Sequence, residues 1–149
     1  MTAGEYCNRE VVITDRDTSI AQAAILMREH HVGSLVVVKK RDGANVPIGI
    51  VTDRDLVIEV IALKVPINSV IVGDIMSTDL VTVEEQETLI NTLDLMLKKG
   101  VRRIPVVDKQ KNLQGILTAD DAIDLLAESM SDLTKIINKE LMYEIKQRP

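Results

Sequence analysis

Gly49-Ile50-Val51-Thr52-Asp53-Arg54-Asp55 and Gly115-Ile116-Leu117-Thr118-Ala119-Asp120-Asp121 are two versions of one pattern, a Gly, two apolar residues, then Thr-x-x-Asp. Apolar strand formers give way in each to a hydroxyl followed three residues later by an acid, the mark of a strand that ends where a helix begins. Working outward, the likeness extends in both directions. Upstream, Met27 falls on Met96, Leu26 on Leu95, Val32 on Val101 and Val37-Val38 on Val106-Val107, all at a spacing of 69 residues. The two Gly-to-Asp stretches are 66 residues apart, so the register slips by three between them. The slip falls in a turn, where Asp42 to Pro47 faces the shorter Gln110 to Asn112. An insertion confined to a loop, with both flanks in phase, is what a duplicated structural unit leaves behind.

Each unit reads as βαββα. A short strand (11–14, 80–83) leads to a helix capped by Ser19 or Thr88, whose apolar residues recur at helical spacing. The helix stops before Gly33 or at Gly100. Two strands follow, 35–38 and 48–51 in the first unit, 104–107 and 113–117 in the second. A closing helix is expected to turn Leu56, Val57, Val60 and Ile61 inward, matched by Ile123, Leu126 and Ala127. One such unit is too small to cover both faces of its sheet, whereas two can cover each other. The expectation is an α/β (α+β) fold of two repeats packed sheet to sheet about a pseudo-twofold, plus a C-terminal helix. In chain order this divides into repeat 1 (1–62), a linker and lead-in (63–78), repeat 2 (79–128) and an amphipathic helix (129–149).

Composition narrows the function. The 149 residues carry a net charge of −5 with a pI near 5.0, and contain two Tyr, no Phe and no Trp. An acidic surface without aromatic platforms argues against nucleic acid as a partner. The one basic run, Lys39-Lys40-Arg41, reads as a hairpin end. The single cysteine, Cys7, rules out an intrachain disulfide and fits a reducing compartment. Met1 to Glu5 lacks the pattern of a signal peptide, and Glu59 interrupts the apolar run from Leu56 to Leu63. A cytoplasmic protein without membrane association is expected.

Thr52 and Thr118 stand where unpaired backbone N–H groups and the positive end of a helix dipole face outward, a setting suited to phosphate. An acid one turn on, Asp55 or Asp121, can accept from ribose hydroxyls. The same Thr-x-x-Asp is also a plain capping box, and the two roles are compatible. Gly49 and Gly115 permit close approach of a backbone or a flat base. His30-His31 suits a helix C-terminus and has no neighbours for a metal site. Met27 and Met96 sit at core spacing. Asp120-Asp121 has neither nucleophile nor histidine beside it, so no catalytic residue is assigned and an enzyme is not expected.

The run Gly100-Val101-Arg102-Arg103-Ile104-Pro105-Val106-Val107-Asp108 with Gly115 to Asp121, preceded by Gly73-Asp74-Ile75-Met76, resembles a cystathionine-β-synthase (CBS) domain. Two in tandem resemble the CBS pair, or Bateman module, and the likeness extends from Val11 to Ala127. The resemblance implies a regulatory module whose clefts bind an adenosine-containing molecule, with AMP, ADP or ATP as the expected ligand. S-adenosylmethionine, or a ligand-free structural or dimerising role, is the alternative. Carried over by position, Asp55 and Asp121 would hold ribose, and Thr52 and Thr118 would lie near ribose or phosphate. Ile50 and Ile116, with Val12 and Val81, would flank adenine, and Arg102 and Arg103 would meet phosphate. The adenine nucleotide would be a regulatory ligand, with no cofactor required. A homodimer and an effector protein reached in trans are the implied partners.

The first copy departs from the pattern. Gly33-Ser34 stands in place of the arginine pair, and Leu35 to Lys39 lacks the Pro and Asp of the second copy. Unequal sites are therefore expected, with the arginine pair and Asp121 together in the better-equipped one. The tail from Ser131 to Arg148 reads as a further amphipathic helix, either packed back on the module or forming a dimer contact.

Overall fold

A computed structural model describes residues 1–148. Helix α2 (Ile20–His30) starts where the Ser19 hydroxyl accepts the Gln22 N–H at 3.1 Å. Its counterpart α5 (Leu89–Lys99) starts where Thr88 accepts the Asn91 N–H at 3.1 Å. Both end in a left-handed residue, His31 at φ 53° and Gly100 at φ 65°, and basic side chains fill both last turns.

Strands β1 (Ile13–Thr14), β2 (Ser34–Arg41) and β3 (Ala44–Thr52) form one sheet, in that order. Strands β4 (Val83–Glu84), β5 (Arg103–Val107) and β6 (Leu113–Thr118) form the other. In each the outer short strand runs parallel to the central one, and the hairpin is antiparallel. Both hairpins shift register at the equivalent place, Val37/Val38 and Val106/Val107. Leu35 and Val37 enter the first helix-covered core, while Val36 and Val38 on the opposite face are buried too. Burial of both faces is what two sheets covering each other require.

The short strands are briefer than the 11–14 and 80–83 expected. Only two residues of each pair with the central strand, because Val11-Val12 and Leu80-Val81 turn aside to line the clefts between the units. The first hairpin is longer than the second, and Asp42-Gly43 closes it with both φ positive, at 52° and 79°. Its Arg41 guanidinium donates to the Gln110 carbonyl of the second unit's turn.

The lead-in segments cross over. Helix α1 (Ala3–Tyr6) packs in the second core, where Ala3 is fully buried beside Val83, Leu89 and Ile104. Its Ala3 and Gly4 N–H groups donate to the Glu87 and Glu85 carbonyls at 2.8 and 2.9 Å. Helix α4 (Val72–Ile75) packs in the first core, with Val72 and Gly73 donating to Thr18 and Arg16 at 2.9 and 2.8 Å. These are equivalent bonds, 69 residues apart. Each unit is therefore completed by the segment that precedes the other. Packing groups the residues differently from the chain-order division at 62 and 78.

The closing helices correct two expectations. After one α-helical turn, α3 (Asp53–Asp55), the first continues as a π-helix over Leu56–Ile61. Only Leu56 and Val60 face the core; Val57 and Ile61 are 53% and 69% exposed. In the second unit Ala122 is buried, while Ile123, Leu126 and Ala127 lie outside. The reason is geometric: each closing helix touches its sheet along one narrow line, so its remaining apolar residues face away. The tail is not a separate helix. Helix α6 runs unbroken over Ala119–Gln147, so it neither starts afresh at 129 nor packs back on the module.

Candidate functional site

The two Gly-x-x-Thr-x-x-Asp stretches sit at equivalent strand-to-helix junctions. Gly49 and Gly115 are where the crossed lead-ins pass. Ser77 and Ile50 exchange backbone hydrogen bonds at 2.9 and 3.3 Å, as do Asn8 and Ile116 at 2.8 and 2.9 Å. A Cβ on Gly49 would lie 2.7 Å from the Ser77 carbonyl oxygen, and one on Gly115 would lie 2.5 Å from Cys7 Sγ. The space these glycines leave is filled by backbone and the Cys7 side chain. Burial there pushes the Cys7 thiol above its ordinary pKa.

Thr52 and Thr118 both cap their helices, accepting the Asp55 and Asp121 N–H at 3.1 Å. A second bond ties each helix start to the residue ahead of the central strand: Asp53 N–H to Gly33 O, and Ala119 N–H to Arg102 O, both 2.9 Å. The acids then diverge. The Asp55 carboxylate accepts the Thr52 N–H at 2.8 Å, completing a capping box. Among the described residues the Asp121 carboxylate has no hydrogen bond or ion pair, and it borders a cleft.

Two clefts open between the sheets. The Thr52 cleft encloses 180 Å³; Ile50 and Thr52 come from the first unit, and Val81, Val101, Arg102 and Arg103 from the second. The Thr118 cleft encloses 220 Å³; Ile116, Thr118 and Asp121 come from the second unit, and Val12, Val36 and Gly33-Ser34 from the first. Each cleft thus joins the Thr end of one unit to the opening strand of the other. Arg103 borders both. Of the ten residues singled out from sequence, Val12, Ile50, Thr52, Val81, Arg102, Arg103, Ile116, Thr118 and Asp121 line these clefts, and Asp55 does not.

The pairing of the arginines with Asp121 needs correction. Arg102 borders the Thr52 cleft, opposite the one that holds Asp121, and only Arg103 is shared. The cause is the crossed arrangement: the residues before β5 face β3 of the other unit. Arg102 also forms an exposed ion pair with Asp120 at 3.4 Å, an interaction of little energetic weight. Sequence reasoning missed Asn8 and Glu10 in one cleft, and Ser77 and Asp79 in the other. The signal that could have found them was the glycine pair, which demands a close backbone neighbour.

A larger cavity of 720 Å³ lies apart from these motifs, between the Ile13–Asp17 turn and the first hairpin at Val38–Lys40, Asn45 and Ile48. The described residues hold no cluster of metal-ligating side chains, and none of their helices is long and apolar enough to cross a membrane.

A family model described as CBS domain matches residues 3–62 and 72–128. An uncharacterized protein of Methanopyrus kandleri is 37% identical over 144 residues, which are 95% of this chain and 72% of that protein. Hypoxic response protein 1 of Mycobacterium tuberculosis is 30% identical over 127 residues, 85% of this chain and 86% of its own. Among solved structures, the CBS domain pair of protein MJ0100, in complex with 5′-methylthioadenosine and S-adenosyl-L-methionine, superposes with a TM-score of 0.75. It is 22% identical, and the match covers 87% of this chain and 98% of that one.

Proposed function

The chain belongs to the CBS-domain family, and on that premise we propose that it is a regulatory module that senses an adenine nucleotide in the clefts between its repeats. The observation that carries this reading is the duplicated Thr junction facing, across each cleft, the apolar opening strand of the other unit. Val81 with Ile50, and Val12 with Ile116, offer apolar surfaces for a base. Thr52 or Thr118 offers a hydroxyl and a helix start for ribose or phosphate. In the Thr118 cleft the unbonded Asp121 carboxylate takes the ribose hydroxyls. In the Thr52 cleft Asp55 must first release the Thr52 N–H to do the same.

At 180 and 220 Å³ both clefts are smaller than the ~300 Å³ at which small-molecule sites begin. A base and ribose therefore fit only if the sheets part, while phosphates remain at the mouth beside Arg102 and Arg103. That parting is the signal: a ligand that binds the opened arrangement better shifts the pair toward it, and a partner in trans reads the change. Arg103, shared by both clefts, couples them. A catalytic role is not part of this reading, since the clefts bring no nucleophile or general base to a reacting position.

The 5′-methylthioadenosine and S-adenosyl-L-methionine held by a CBS pair of the same fold favour one second reading, an adenosyl ligand without phosphates. Titration calorimetry with AMP, ADP, ATP and S-adenosylmethionine separates the two. Saturable binding of a nucleotide supports the first reading, and binding of S-adenosylmethionine alone supports the second. Absence of saturable binding by all four overturns both and leaves the Thr-x-x-Asp stretches as helix caps.

A further inference from the structure

From Leu126 to Arg148 every residue of the chain is exposed, so about the last 22 residues of α6 stand clear of the module, a length of about 33 Å. Nine large apolar side chains lie on this free stretch, each more than half exposed. Leu126, Met130, Leu133, Ile137 and Leu141 recur at spacings of three and four, and so form one stripe. It continues the exposed Ile123 at the module's edge. A helix of this length holds its shape in water chiefly by packing an apolar face, and here no described residue supplies the packing. A bare stripe of this size marks an interaction surface.

We propose that this stripe is covered by the same stripe of a second copy, the two helices running antiparallel. This inference is independent of the ligand reading. Area, register and charge carry it. Each of the nine side chains leaves on the order of 100 Å² uncovered, so covering most of them approaches the ~800 Å² per partner of a specific interface. With the two copies centred between Leu133 and Thr134, Leu126 comes level with Leu141, and Met130 with Ile137.

The direction follows from the carboxylates. Glu140 and Glu144 fall on the stripe itself, three and seven residues beyond Ile137. A parallel, in-register pair would press Glu140 on Glu140 and Glu144 on Glu144 in the seam, like charges with no cation between them. The antiparallel pair sets them level with Ala127 and Ile123. The outer faces agree with this direction, since the first half of the helix carries Asp120, Asp121, Asp124, Glu128 and Asp132 and no base. Lys135, Lys139, Lys146 and Arg148 lie in the second half. Antiparallel pairing brings Glu128 level with Lys139 and Asp132 level with Lys135, a modest and salt-screened gain.

Sedimentation equilibrium of the full chain tests the pairing. The native chain is expected at twice its monomer mass at micromolar concentration, and Leu133→Asp with Ile137→Asp at the monomer mass, a weakening of at least tenfold. Both side chains are exposed, so thermal unfolding of the module should be unchanged, which separates lost pairing from lost folding. A native chain that stays monomeric overturns the proposal, as does a dimer that survives both substitutions. Direction is read by disulfide trapping in a Cys7→Ser background. Met130→Cys mixed with Ile137→Cys should cross-link, and neither should cross-link with itself. Efficient self-linking of each variant would mean a parallel pair and overturn the antiparallel arrangement.

Discussion

Asp55 and Asp121 occupy the same place in two copies of one pattern, yet one carboxylate is bound to its own helix and the other is free. The consequences of removing them should differ in kind. Asp55→Ala is expected to lower stability by about 1 kcal/mol, the usual cost of a lost cap, in urea unfolding. Asp121→Ala should leave the unfolding curve nearly unmoved and weaken ligand binding in calorimetry. The arginines divide similarly: Arg102→Ala should weaken one cleft, whereas Arg103→Ala should weaken both. The glycines have a structural task. Gly115→Ala places a methyl against Cys7 Sγ and the Asn8 carbonyl, and should cost about 1–3 kcal/mol in the same unfolding measurement. Cys7, with its thiol held above the ordinary range by burial, holds little thiolate at neutral pH. Alkylation by iodoacetamide should therefore be slow at pH 7 and accelerate when urea opens the second core.

At the scale of elements, the helices and hairpins were legible because their signals are local. Ser19 and Thr88 are N-caps, Gly100 is a left-handed stop, and the Val-rich strands carry the alternation of a sheet covered on both sides. The crossing of the lead-ins was not legible, because nothing in Ala3-Gly4-Glu5-Tyr6 states which core it will enter; that depends on contacts some eighty residues away, with Glu85 and Glu87. The same crossing hid the true pairing of Arg102 with Thr52. The closing helices misled for another reason: an apolar face predicts burial of some kind, but not by which surface. A direct test of the crossing is removal of residues 1–9. Loss of Ala3 from the second core should speed amide exchange in β5 and β6 while leaving β2 protected. Equal loss of protection in both sheets would mean that the units do not depend on one another's lead-ins in this way.

Over the whole molecule, the duplication produces two clefts that are related by a pseudo-twofold and unequal in chemistry. One has two arginines and a capped Asp55; the other has one arginine and a free Asp121. Both draw walls from both units, so filling either must act on the angle between the sheets. The central claim is that these clefts, rather than the larger cavity beside the first hairpin, receive an adenine nucleotide. The most direct measurement is a ¹H–¹⁵N correlation spectrum of the full chain recorded during titration with ATP and with AMP. Saturable shifts are predicted at Val81, Arg103 and Thr52, and at Val12, Ile116 and Thr118, with little change at Asp15–Asp17 and Asn45. A spectrum that does not move, or one whose shifts are confined to the first-hairpin cavity, would contradict the account.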